Sequence, residues 1–154
     1  MTNKSHPLQT AAQVAQSREQ AAVKALGESQ QRLTEQQNRL QQLLTFRSEY
    51  ATQFQNEGSG GISARRYQDY ATFLTNMDHG IVQLQQQLAW LQQELQHKRL
   101  AWIQIRAKTK ALEEVIERDR KTQLYAEDRR EQRDSDEHNL RNPVAGQMRF
   151  IDGV

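Results

Sequence analysis

The chain has no cysteine, only two prolines in 154 residues, and few aromatics: two Trp, four Tyr and four Phe. Without cysteine there are no disulfides and no thiolate metal sites, and a reducing compartment suits the chain. No apolar run approaches the roughly 18 residues a spanning helix needs, and the opening MTNKSHPLQTAAQVAQ lacks the apolar core of a signal peptide. The reading is a cytoplasmic protein, neither spanning a membrane nor secreted by the general route. A dominant charge is also missing. Lys and Arg total 21 against 19 Asp and Glu, so a net charge of +2 makes no general case for nucleic acid or a lipid surface. A mean hydropathy of -0.95 with 36% hydrophobic residues is too polar for a compact globular core.

Catalytic patterns are absent as well. There is no GxxxxGK[ST], and the glycines of EGSGG follow no strand pattern and precede no lysine. His6, His79, His97 and His138 are scattered rather than held at turn spacing, so each reads as a solvated surface residue and not a metal ligand. Glu113 and Glu114 fall on an exposed helix with no pocket to shift their pKa values. No enzyme activity, cofactor or metal is expected.

What is present is a seam. Tyr67, Tyr70, Leu74, Met77, Ile81, Leu84, Leu88, Leu91, Leu95, Lys98, Trp102, Ile105, Thr109, Leu112 and Ile116 alternate at spacings of three and four. A 3.5-residue repeat held over roughly seven heptads buries one narrow stripe against a partner helix. Only Lys98 and Thr109 interrupt its apolar character. The Gln-rich segments QQRLTEQQNRLQQLL and QLQQQLAWLQQELQ place their glutamines between seam positions, as solvated helix formers.

An earlier segment supplies the partner. After an alanine-rich start, Leu26, Leu33 and Leu40 recur every seventh residue, and Leu43, Leu44, Phe46, Tyr50 and Phe54 follow. The glycines of Glu57-Gly58-Ser59-Gly60-Gly61 can end one helix and turn the chain, and Ser63 can cap the next. A short loop makes consecutive helices antiparallel neighbours. The expected fold is therefore all-α: a long antiparallel two-helix coiled-coil hairpin with a charged C-terminal helical overhang. Its parts are a disordered N-terminus (1–7), helix 1 (8–56), a Gly-rich turn (57–61), helix 2 (62–140, an overhang from about 110) and a disordered tail (141–154). Folding about Ser59 gives partners whose numbers sum to roughly 118.

Three surfaces exceed what a seam can absorb. Near the turn, Leu43, Leu44, Phe46, Tyr50, Phe54, Tyr67, Tyr70, Phe73, Leu74 and Met77 are more apolar and aromatic than one seam buries. They either splay over its edges or form a docking patch. Between Leu95 and Leu112 lie Lys98, Arg99, Arg106, Lys108 and Lys110 with no acid beyond Leu95, a basic stretch that is either solvated or a band for an acidic protein ring. The third is the charged overhang ERDRKTQLYAEDRREQRDSDEHNL, a solvated helix or a surface read by a partner. Trp102 belongs to the seam, whereas Trp90 lies off it.

LLTFRSEY, GSGGI, YQDYATFLTNMDHGIVQLQQQLAW, KRLAWIQIRAKTKALEEVIER and LYAEDRREQRDSDE, in that order and spacing, resemble the FliJ family of flagellar type III export. The resemblance covers roughly residues 20–138 and departs in the alanine-rich start and in the acidic tail after Asp134. It implies a stalk-like hairpin that binds and stimulates the hexameric flagellar export ATPase, couples it to the export gate platform and escorts export chaperones. It would be monomeric, would not bind nucleic acid, and would reach the membrane only through the gate. Matching positions make Arg39, Leu43, Phe46, Tyr50, Phe73, Met77, Gly80 and Leu84 gate-facing; with the open end in the ATPase ring, the basic band supplies Arg99, Arg106, Lys108 and Lys110, with Leu112 and Arg118, as ATPase-facing. The alternatives are an export adaptor that escorts cargo without touching the ATPase, and the equivalent stalk of a virulence secretion system.

Overall fold

The computed structural model describes residues 5–141 and contains two helices, α1 (Gln9–Ser59) and α2 (Ala64–Arg141), with no strand among the described residues. It is an all-α helical hairpin. Residues 1–4 and 142–154, where most of the expected disordered ends fall, lie outside the described residues. The described chain forms two compact units: residues 15–107, here the hairpin unit, and residues 5–14 with 108–141, here the terminal unit.

In the hairpin unit the burial pattern follows the heptad. On α2, Tyr70, Leu74, Met77, Ile81, Leu84, Leu88, Leu91, Leu95, Lys98, Trp102 and Ile105 are all buried or half-buried. The facing stripe on α1 runs Ala15, Glu19, Ala22, Leu26, Ser29, Leu33, Gln36, Leu40, Leu43, Arg47, Tyr50 and Phe54 at the same alternating spacing. Leu33, Leu88, Leu91 and Leu95 form the core cluster, with Leu26 and Leu40 packed against it. Tyr67 departs from the expected seam. It is 57% exposed, next to the turn, with its ring tilted against Phe54 at a centroid distance of 5.1 Å.

The turn comes later than the glycines suggested. α1 continues through Glu57 and Gly58 to Ser59, and the reversal falls at Gly61, whose φ of 84° is the left-handed value that glycine adopts without Cβ strain. Its N–H donates to the Gly58 carbonyl at 3.2 Å. Ser63 caps α2 by accepting the Arg66 N–H at 3.2 Å on its Oγ. The later pivot shifts the register: Tyr50 meets Tyr70, numbers summing to 120, and Arg47 meets Asp78, summing to 125.

In the terminal unit Ala12 and Thr109 are buried, and Leu112, Val115, Ile116 and Asp119 are half-buried. Every residue from Arg120 to Arg141 is exposed. The unpaired part of α2 thus starts at Arg120 and not near residue 110, because the chain ahead of α1 still reaches Asp119 through His6. His6 is accordingly not the solvated residue expected; its side chain is only 20% exposed.

Candidate functional site

The tip of the hairpin unit is built from rings. Phe54 contacts Tyr67 and Tyr70 at centroid distances of 5.1 and 5.0 Å, and Tyr50 lies 5.0 Å from Tyr70 and 4.6 Å from Phe73. Phe46 completes the set, 6.2 Å from Tyr50 and edge-on to Phe73 at 6.4 Å. These separations fall in the range where offset and tilted pairs attract beyond simple burial. Tyr70 is buried, yet Phe46 and Phe73 remain 49% and 41% exposed. The rings splay over the seam edge, as their bulk demands, and still present an aromatic surface on one flank.

Two ion pairs frame the rings. Arg66 holds Glu57 through two guanidinium nitrogens, Nε to Oε2 at 2.8 Å and Nη2 to Oε1 at 3.0 Å. Arg47 holds Asp78 likewise, Nε to Oδ1 at 2.5 Å and Nη2 to Oδ2 at 3.1 Å. Such planar two-point contacts suit guanidinium and carboxylate geometry. The guanidinium keeps the Glu57 carboxyl below the usual range, helped by the Tyr70 hydroxyl, and that carboxylate pushes the Tyr70 phenol upward. Arg47 lowers Asp78 in the same way. All four ionic groups are firmly charged at neutral pH, so none is poised as a proton donor or acceptor.

Of the positions matched to the gate-facing set, Arg39, Phe46, Phe73 and Gly80 are exposed, and Leu43, Tyr50 and Met77 are half-buried. The structure brings Phe46, Tyr50 and Phe73 into direct contact. Leu84 is buried in the seam and supports the helix pairing instead of the surface. Of the ATPase-facing set, Arg99 and Arg106 are exposed in the hairpin unit, Arg106 lying 5.3 Å from the Trp102 ring centroid. In the terminal unit Lys108, Lys110 and Arg118 are exposed and Leu112 is half-buried. Lys98 is not available as part of a basic surface, because it folds back 3.0 Å onto Glu94 one turn earlier. Trp90, 60% exposed, stands off the seam as expected.

Sequence reasoning missed Arg47 with Asp78 and Glu57 with Arg66. Opposite charges facing each other across a hairpin are a usable signal, but the expected register set Arg47 several residues away from Asp78. His6 with Asp119 left no signal in local pattern at all.

No helix among the described residues is long and apolar enough to cross a membrane. These features define an all-α helical hairpin whose candidate chemistry is contact through an aromatic flank and exposed cations. The profile described as "Flagellar FliJ protein" matches residues 4–147, and the chain belongs to that family of flagellar export components. The chain is 26% identical to the flagellar FliJ protein of Escherichia coli (strain K12), over 84% of this chain and 88% of the relative. It is 24% identical to that of Salmonella typhi, over the same shares of the two chains. No solved structure matches.

Proposed function

We propose that the chain is a stalk-like component of flagellar export that binds and stimulates the hexameric export ATPase and couples it to the export gate, acting by contact and without chemistry of its own. The observation that carries this is the family match over residues 4–147, to which the exposed rings Phe46 and Phe73 give a concrete surface. The gate platform protein docks on the aromatic flank, with Phe46, Tyr50 and Phe73 as anchors, since aromatics dominate interface hot spots. The ATPase meets exposed cations: Arg99 and Arg106 in the hairpin unit, and Lys108, Lys110 and Arg118 with the edge of Leu112 in the terminal unit. Exposed charge suits a loosely held stalk, because it steers association while contributing modestly to affinity.

The test is ATP hydrolysis by the matching purified export ATPase, with and without this protein at equal concentration. Turnover should rise, and should rise less with Arg106, Lys108 and Lys110 all replaced by Glu at unchanged helicity. No effect of the wild-type protein would leave the adaptor reading, in which the hairpin escorts export chaperones and never touches the ATPase.

A further inference from the structure

The contacts of His6 specify where its proton sits. Its carbonyl accepts the Gln9 N–H at 2.9 Å, and its Nδ1 accepts the Leu8 N–H at 3.0 Å. Its Nε2 lies 2.6 Å from Asp119 Oδ2. A backbone N–H can only donate, so Nδ1 must carry a lone pair; an ionised carboxylate can only accept, so Nε2 must carry the hydrogen. Both requirements are met by one form alone, the neutral imidazole protonated at Nε2.

We infer that His6, in this one tautomer, is a strap that ties the start of α1 to α2 and determines where the free part of α2 begins. The same ring serves both ends. Through Nδ1 and the carbonyl it satisfies amide groups ahead of and within the first turn of α1, donors that a helix start otherwise leaves to water. Through Nε2 it anchors that turn to Asp119, and the segment it holds lines a cleft over Ile116 together with Ser5, Pro7 and Gln9. Ile116 and Asp119 are half-buried, whereas every residue from Arg120 to Arg141 is exposed. Opening the strap uncovers Ile116.

The surrounding charges favour this arrangement. Arg118 Nε lies 4.0 Å from the other Asp119 oxygen, on the side away from the ring bond, while Arg120 is occupied by Glu117 through two bonds. A doubly protonated ring would direct an N–H at the Leu8 N–H and lose that bond, though it would keep Asp119.

The experiment uses the full chain. Long-range proton–nitrogen correlation on protein with labelled histidines should show His6 as the Nε2–H tautomer at neutral pH, apart from the exposed His79, His97 and His138. His6→Ala should raise hydrogen exchange at the Ala12 amide, which bonds to the Leu8 carbonyl, by roughly tenfold. Asp119→Ala should do the same. Asp119→Asn should stay near wild type, because an amide oxygen still accepts from Nε2–H. An Nδ1–H tautomer, unchanged exchange in His6→Ala, or an Asn variant that behaves like Ala would each overturn the strap.

Discussion

Arg47 occupies a seam position of α1, where the heptad calls for an apolar side chain, and reaches across to grip both carboxylate oxygens of Asp78 on α2. The pair closes the seam with charge beside the ring cluster, as Glu57 and Arg66 do at the turn. Both carboxyls titrate below their unfolded values of about 3.9 and 4.3 because a guanidinium favours the ionised form. A depressed folded-state pKa contributes stability that is fully present above the unfolded value and lost as the pH falls through the folded one. The melting temperature should therefore hold steady down to about pH 5 and then fall as the two pairs protonate. Asp78→Asn should lower the midpoint at pH 7 and shrink the drop between pH 7 and pH 3. Thermal melts followed by circular dichroism at the two pH values check both, and an identical acid drop in the variant would dissociate the pair from it.

The glycines divide into two groups with opposite expected effects. Gly27 and Gly80 lie inside helices, and a Cβ added at either meets nothing within 4 Å. Alanine there removes backbone freedom from the unfolded chain and should stabilise by about 1 kcal/mol each. Gly61 has equally open space but a φ of 84°, so Gly61→Ala should destabilise by about 1 kcal/mol through backbone strain alone. Denaturant midpoints of the three single variants test the pattern, and the sign for Gly61 is decisive.

The helical hairpin was legible because burial on α2 repeats every 3.5 residues, so Leu74 through Ile105 could be named as seam from spacing alone. The facing stripe was harder to see. It passes through Glu19, Ser29, Gln36 and Arg47, polar residues that a hydrophobic pattern counts as surface but that small size or a long aliphatic stem admits to a two-helix seam. The aromatic surplus near the turn was visible as a composition, and its contacts were not. Whether Phe46 and Tyr50 meet Phe73 across the seam depends on a register that three residues of extra helix, Glu57, Gly58 and Ser59, displaced. His6 lay beyond any periodic argument, since its partner is 113 residues away.

Ser29 is fully buried, and its hydroxyl has no hydrogen-bond partner among the described residues. An unmet buried hydroxyl costs about 1 kcal/mol or more. Ser29→Ala keeps the volume nearly unchanged and should stabilise the hairpin unit by about that amount. Ser29→Leu should instead destabilise, because the site is already closed around a small side chain. Chemical denaturation of the pair of variants separates relief of a polar penalty from a general preference for apolar residues.

The exposed part of α2 should be dispensable for the fold. From Arg120 to Arg141 no side chain is buried, and Leu124, Tyr125 and Leu140 are all exposed. Helices that bury no face are marginal in water. Truncation after Arg120 should lower the helical signal in proportion to the residues removed, while the main melting midpoint shifts by only about 2 °C or less. A larger loss would show that this segment supports the rest of the chain.

Phe46 and Phe73 offer the sharpest separation of surface from core. Each is more than two-fifths exposed, and they touch edge-on at 6.4 Å, so their mutual contact is worth about 1 kcal/mol at most. Replacing both by Ala should cost about 1–2 kcal/mol of stability, well short of what Leu91→Ala in the closed core should cost, about 3 kcal/mol. If the flank is where the gate platform docks, the double variant should lose at least tenfold in affinity for that protein, since aromatic anchors at an interface typically contribute 2 kcal/mol or more, roughly. Leu84→Ala, which disturbs a buried seam position, should do the reverse: a lower melting temperature with gate binding preserved at temperatures where the variant is folded. Calorimetric titration beside thermal melts reads both quantities on the same samples. Binding that follows stability across all three variants would mean the rings act only by holding the hairpin together.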